Sequence, residues 1–336
     1  MTNRNNKSSM NTVVFGMIGA GRVAEVKSAP AIQKAEGAVL AAVMRRDAEK
    51  LADYAKRHGI PRYSTRYQDI LEDPAITAVY IATPPGSHAF YTLEAARHGK
   101  AVYVEKPMAR TADEARQMVA ACNQAGVPLF VAYYRRAQPR FLKAKELIDS
   151  GALGEVYSFN YLYACPVPGE DPNRPWLLTR DIAGGGLLYD IGSHMVDSII
   201  FMLGEPEEVI GRSANQTRAR DTDDMASALM CLKNGRQGSL QLSFNAASRV
   251  DHLTILGTRG TLTLPIMGYE PLLLEREGMV EELPYPQPEH VQSYLITRVV
   301  NTLRGLDDLD STGQSALQTQ EILEAIDQSG RWVADE

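Results

Sequence analysis

The stretch "MIGAGRVAEV", Met17 to Val26, joins an apolar run, Thr12–Ile18, to the first residues of an amphipathic segment. Two glycines, Gly19 and Gly21, mark the junction, and Ala24 stands where a third would complete G-x-G-x-x-G. A second apolar run, Ala38–Met44, follows about twenty residues on. In that context each small residue has a physical role. Gly19 makes a tight turn, Gly21 lets backbone approach a pyrophosphate, and Ala24 allows helix to pack on strand. The helix opening at Arg22 and Val23 offers free N–H groups and the positive end of its dipole to an anion. The pattern predicts a strand, a dinucleotide-binding turn and a helix.

Working outward, "AVYIAT" (78–83), "AVYVEK" (101–106) and "PLFVAYY" (128–134) are further short apolar runs. Helically spaced segments separate them: Asp47–His58, Ser87–His98 and Thr111–Gln124, the last opening on a T-x-x-E capping-box pair, Thr111 and Glu114. Continuous apolar strands alternating with amphipathic helices imply a parallel sheet covered on both faces. After Tyr134 the pattern changes. A helix over Arg140–Ser150 ends at Gly151, and runs such as "EVYSFNYLY", "MASALMCL", "GSLQLSF" and "GTLTL" read as strands of an antiparallel sheet. Asn234–Gly235 is a hairpin signal. Helices are expected near Leu187–Leu203, His290–Arg304 and Gly313–Asp327. The fold class is therefore α/β: a Rossmann dinucleotide-binding domain at 11–133, preceded by a disordered tail at 1–10. An α+β domain with a large, mostly antiparallel open sheet follows at 134–336, for substrate binding and oligomerisation.

The chain has 336 residues, enough for two cores, and a formal net charge of −6 with no basic run, which argues against nucleic acid. No apolar stretch approaches the roughly 18–20 residues of a membrane span, and the polar start "MTNRNNKSSM" lacks the apolar centre of a secretory signal. The three cysteines, Cys122, Cys165 and Cys231, are dispersed and form no zinc or disulfide pattern, so no metal is expected and a cytoplasmic location is. A site for NAD(H) places Asp or Glu at the end of the second strand to hold the ribose 2′-hydroxyl. Here that strand ends "AVMRRD", with Asp47 positioned to cap the next helix. Arg45 and Arg46 suit a 2′-phosphate, so NADP(H) is favoured over NAD(H).

Two later stretches carry chemistry. "VEKPM" (104–108) puts Glu105, Lys106 and Pro107 at a strand's carboxyl end, the edge that faces the ligand crevice. "GGGLLYDIGSHMVD" (184–197) puts Asp190 and His194 four apart, on one face of a helix. Together with the glycine turn, these motifs resemble the Gfo/Idh/MocA oxidoreductases, over nearly the whole chain after the tail. The resemblance implies hydride transfer between a nicotinamide and a carbon of a sugar, polyol or related compound. It also implies a homodimer or homotetramer formed through the exposed sheet face. It assigns Lys106 as the active-site lysine and Asp190 and His194 as its polar companions. It places "TPPGSH" (83–88), with Thr83, Pro84 and His88, beside the cofactor, although Pro85 replaces the usual Asn. It places "AYYRR" (132–136), with Tyr134 and Arg135, near the nicotinamide, and it sets Trp176 and Arg180 in a loop bordering the substrate.

The residues agree with that chemistry. Oxidising an alcohol needs a base for the hydroxyl proton, and a histidine titrates in the useful range. His194 is the expected acid/base and Lys106 the group that stabilises developing negative charge, with the roles open to exchange; Asp190 orients the histidine or binds a substrate hydroxyl. A non-catalytic NADP-binding regulator and a glycoside hydrolase that oxidises its substrate transiently remain alternative functions.

Overall fold

The computed structural model describes residues 12–167, 174–218 and 221–334. The tail expected at 1–10 lies outside them. The first half contains β1 (Val13–Ile18), α1 (Ala29–Lys34), β2 (Ala38–Met44), α2 (Ala48–Arg57), β3 (Arg62–Ser64), α3 (Gln68–Leu71) and β4 (Ala78–Ile81). It continues through α4 (His88–Arg97), β5 (Ala101–Val104), α5 (Ala112–Ala125), β6 (Leu129–Val131) and α6 (Pro139–Asp149). The six strands form one parallel sheet in the order β3-β2-β1-β4-β5-β6. Every residue of β4 and β5 is buried, as a sheet covered on both faces requires. The order reverses beside β1, so the glycine turn opens at the switch point where such sheets bind ligands.

The second half holds β7 (Val156–Ala164), α7 (Arg180–Ala183), α8 (Ser193–Leu203), β8 (Pro206–Ala214), β9 (Met225–Leu232), β10 (Gln237–Ser243) and β11 (Val250–Gly257). Then come β12 (Thr261–Leu264), β13 (Leu272–Arg276), β14 (Met279–Leu283), α9 (Ser293–Leu303), α10 (Gly313–Asp327) and β15 (Arg331–Val333). Its nine strands run β14-β13-β12-β11-β7-β10-β9-β8-β15, antiparallel except for the β7–β10 pair. β9 alternates buried and exposed residues, and so has one packed face and one open face. The turn between β9 and β10 is Asn234–Gly235, with Gly235 at φ +83°.

The C-terminal segment leaves this second layer. Val291, Leu295, Ile296, Val299 and Val300, in and just before α9, join the core around β1 and α1, while Ala316 and Leu317 of α10 join the core against α5. The two halves are thus closed over one another by the last two helices, α9 and α10.

Two local expectations change. Thr111 caps α5 by accepting from the Glu114 N–H (3.1 Å), but the Glu114 carboxylate turns to the backbone N–H (3.0 Å) and guanidinium of Arg110, which leaves half a capping box. A full box forms instead at Thr312 and Ser315, opening α10. Second, contrary to the expectation that no apolar stretch approaches a membrane span, the helical run Arg180–Leu203 is long and apolar enough to cross one; 89% of that apolar window is buried inside the protein, as in a core helix.

A buried ion pair joins the two halves. Arg136 forks onto Asp197 of α8 with Nε and Nη2 at 2.8–3.0 Å, and Thr319 of α10 adds a longer contact to the same carboxylate. Removing one partner of such a pair leaves an uncompensated buried charge. Arg136→Leu is expected to lower unfolding free energy by about 3–5 kcal/mol in urea titrations, and the paired change Arg136→Met with Asp197→Leu to recover most of it.

Candidate active site

The site is assembled at the carboxyl edge of the parallel sheet. Gly19 sits at φ +104°, and a Cβ there would meet the Ala82 and Thr83 backbone at 2.7–2.8 Å, so only glycine fits. The Gly19 and Ala20 N–H groups both donate to Met44 O (3.0 and 3.1 Å), tying the turn to the end of β2. Arg45 closes it from outside, its Nη1 donating to Ala20 O at 2.9 Å. Gly21 is open: the nearest atom to a Cβ placed there is 3.9 Å away. An open glycine at a helix start fits a dinucleotide diphosphate.

Helical backbone runs from Arg22 to Lys34, with a wide π-turn over Ala24–Ser28. Pro30 has no N–H for the carbonyl of Val26 four residues earlier, and His290 Nδ1 meets that oxygen instead at 3.2 Å. Arg22 is exposed and Val23 half-buried at the helix opening. Arg46 is exposed beyond Arg45, while Asp47 accepts from the Lys50 N–H at 3.0 Å as the cap of α2. The first carboxylate after β2 is thus engaged as a helix cap.

The loop after β4 is braced from within. Thr83 Oγ1 accepts from Ser87 Oγ at 2.8 Å, and Pro84 is half-buried. His88, expected beside the cofactor, is fully buried, its ring nitrogens 2.7 Å from Thr83 O and 3.0 Å from Pro107 O. It joins this loop to the one carrying Lys106, with its ring withdrawn from the cleft. Glu105 is likewise withdrawn. Its Oε1 accepts from Tyr80 Oη and Gln292 Nε2, both at 2.6 Å; Tyr80 also pairs with Ser28 Oγ (2.6 Å), and Tyr103 donates to Gln292 Oε1 (2.7 Å). This buried network pins the lysine's own strand to α1 and to the residue before α9.

Lys106 projects from that anchored strand across to the second half. Its Nζ donates to the backbone oxygen and to Oδ1 of Asp190, both at 2.7 Å. Arg174 takes Asp190 Oδ2 at 2.8 Å. Burial pushes the Asp190 carboxyl up, but the Lys106 ammonium and the Arg174 guanidinium outweigh it and hold it well below the usual carboxylate range. Asp190 thus holds the lysine, not His194 as expected. It lies in a π-turn, Leu188–Gly192, that leads into α8. The glycines before it are structural: a Cβ on Gly185 would strike the Tyr189 ring at 2.3 Å, and Gly184 and Gly186 have φ of +67° and +59°.

His194 is 3% exposed and its Nδ1 has no hydrogen-bond partner. Burial, reinforced by Arg135, Lys106 and Lys27, holds the imidazole well below its ordinary pKa and so neutral at pH 7. Tyr134 packs against it with ring centroids 4.9 Å apart. Arg135 lies over the Tyr134 ring at 5.0 Å and donates Nε to Ile266 O at 2.7 Å.

Two expected substrate residues are engaged elsewhere. Arg180 reaches Asp327 at 2.6 Å, with Asp223 at 3.7 Å, bracing its loop to α10. Trp176 packs, partly buried, against the core of the second half. Sequence reasoning missed Lys27, Arg174 and Gln292. Lys27 lies one helical turn past the glycine motif, where a reading for amphipathic spacing sees only a solvated cation.

A glycine turn at the switch point of a parallel sheet, facing a clamped lysine and a buried histidine, defines a dinucleotide-dependent oxidoreductase. Residues 13–133 match the oxidoreductase family with an NAD-binding Rossmann fold, and residues 141–263 match the GFO/IDH/MocA C-terminal domain, so the chain belongs to the Gfo/Idh/MocA oxidoreductases. It is 38% identical to Oxidoreductase P35 of Formosa agariphila over 291 residues, 85% of this chain and 89% of that one. It is 29% identical to a D-xylose 1-dehydrogenase [NADP(+)] of Haloarcula marismortui, over 84% of this chain and 81% of that one. A solved levoglucosan dehydrogenase in complex with NADH and levoglucosan shares the fold, with a TM-score of 0.86 at 22% identity, over 96% of this chain and 100% of that one.

The depressed Asp190 carboxyl also makes stability depend on pH. A carboxyl depressed in the folded state adds stability that is fully present above its unfolded value, about 3.9, and is lost as pH falls toward the folded value. Asp190→Asn is expected to melt below the wild type at neutral pH, with the gap closing progressively below about pH 4. Thermal melts across that range measure it.

Proposed function

We propose that this protein transfers a hydride between NADP(H) and a carbinol or carbonyl carbon of a sugar or closely related polyol. The observation that carries the reading is the Lys106 ammonium, held by Asp190 at the sheet edge beside the glycine turn. When bound, the nicotinamide accepts or supplies the hydride. The chain's own residues do the rest: Lys106 stabilises negative charge on the substrate oxygen, Asp190 holds and aims that ammonium, and the buried, neutral His194 offers a hydrogen bond. The sugar assignment is supported by the xylose dehydrogenase relative.

The preference for NADP(H) is supported by Arg45, which lies on the turn, and by the engagement of Asp47 as a helix cap. Loss of a charge-assisted contact of this kind is worth about 1.5–3 kcal/mol. Arg45→Asp is therefore expected to raise the Kd for NADPH at least tenfold while changing that for NADH little. Equal weakening of both would remove the 2′-phosphate assignment. The function itself is tested by following nicotinamide absorbance with NADP⁺ and NAD⁺ against a panel of aldoses, anhydrosugars and polyols, with Lys106→Ala as control. Tight cofactor binding without turnover of any of them would favour the regulator.

The open face of the nine-stranded sheet exposes Ile210, Leu229 and Leu256. Covering these apolar residues supports a homodimer or homotetramer. Light scattering is expected to return two or four times the 37.0 kDa chain mass. Three cysteines without a disulfide are in keeping with a reducing cytoplasm.

A further inference from the structure

Gln292 is buried at the entry to α9, a helix that lies near the chain's end in sequence and in the first core in space. Its backbone is held on several sides. Its carbonyl accepts from the Ile296 N–H at 2.9 Å, the neighbouring Val291 O accepts from Gln138 Nε2 at 3.2 Å, and His290 meets Val26 O. From that fixed place the side-chain amide bridges two residues, donating to Glu105 Oε1 and accepting from Tyr103 Oη. An amide meets both demands at once, a donor for a carboxylate and an acceptor for a phenol; reversed, it would set oxygen against oxygen. Tyr80 Oη donates to the same Glu105 oxygen, so it is left to accept from Ser28 Oγ. Ser28 is the last residue of the π-turn in the helix that opens at the glycine turn. Each hydroxyl and amide hydrogen in this chain of contacts therefore points toward Glu105. Burial and the Glu105 charge hold the Tyr80 and Tyr103 hydroxyls well above the ordinary tyrosine range, so both remain donors. His88 of α4, which also senses that carboxylate, keeps its ring on Thr83 O and Pro107 O.

We propose that Gln292 is a positioning residue for the reaction: by clamping Tyr103 and Glu105 it sets the strand end from which Lys106 projects against the coenzyme helix that carries Ser28. The inference rests on the hydride-transfer function above. Glu105 and Lys106 are successive residues held from opposite sides. The Glu105 carboxylate is drawn back to Gln292 and Tyr80, and the Lys106 ammonium reaches forward to Asp190. Asp190 alone does not fix the lysine's backbone; the rear hold does. The same hold continues through Tyr80 to Ser28, so the dinucleotide's seat and the ammonium are registered to one another by a single buried chain of hydrogen bonds. A displacement of about 1 Å caused by a change remote from the chemistry can cost on the order of 10²-fold in rate.

Gln292→Leu removes both bonds at similar volume. On any sugar that the wild type turns over, its kcat should fall about 10–100-fold, while KM and the Kd for NADPH change by less than about threefold. Gln292→Glu gives a sharper readout. Beside Glu105 the introduced carboxyl shares one proton, and while it holds that proton it donates to Glu105 and accepts from Tyr103 as the amide does. Relative to the wild type, its kcat should be close to normal near pH 5 and fall as the shared proton leaves, within about pH 5–9. Its melting temperature should follow the same course. A carboxyl whose folded pKa is raised adds stability that is present below its unfolded value and lost as pH rises through the folded one. A role confined to folding would lower the melting temperature and leave the kcat of Gln292→Glu, relative to wild type, flat across pH. That result, or a Gln292→Leu enzyme with normal kcat, overturns the positioning role and leaves the oxidoreductase reading intact. A wild type that binds NADPH yet turns over no substrate overturns the hydride-transfer reading itself, and the positioning role with it.

Discussion

The contact between Lys106 and Asp190 is the constraint on which the rest of the molecule is arranged. One partner rises from the parallel sheet that presents the glycine turn, and the other from the helix that underlies the antiparallel sheet. Neither half can carry the site alone. An ammonium facing Asp190 Oδ1 and a carbonyl oxygen, with a guanidinium on Oδ2, leaves no lone pair of the first contact unanswered, which is the condition under which a buried pair is tolerable. Everything adjacent serves to keep those atoms in register: the Glu105 network fixes the lysine's strand, His88 ties its loop to the preceding one, and Gly184 and Gly185 make room for the Tyr189 ring before the aspartate.

A second rigid assembly faces it. The loop after β12 is held by Asp251, which accepts from the backbone N–H groups of Ile266, Met267 and Gly268. Arg140 donates to the carbonyls of Pro265, Gly268 and Glu270, and Arg135 to that of Ile266. A loop so tied is firm beside the Arg135 guanidinium, which lies over the Tyr134 ring. Preorganised charge of this kind costs no rearrangement when an oxyanion develops.

Much of this was legible in the sequence wherever the cause was local. Asp47, the hairpin at Asn234–Gly235 and the bounds of α10 follow from caps, turns and periodicity, which act over a few residues. The glycine turn and Lys106 were found because their motifs are short and contiguous. The failures are long-range. Gln292 reaches Glu105 across 187 positions, and Arg180 meets Asp327 across 147, so neither partner announces the other. Glu114 failed as a box because Arg110 competed for its carboxylate, a choice spacing alone does not decide. The strands β13 to β15 are short and partly exposed, and they lack the apolar alternation that marked their neighbours.

The return of α9 and α10 to the first layer bears on how the chain becomes a protein at all. The helix that begins the cofactor turn is completed from outside by His290, and its core is filled by Leu295, Ile296 and Val299. As the ribosome releases residues in order, the nucleotide-binding layer is the first to emerge and among the last to be finished. It waits through the whole synthesis of the second sheet with an apolar flank open to water. Ring closure over so long a loop is entropically slow, and in that interval the nascent chain is at its most exposed to aggregation or to a chaperone.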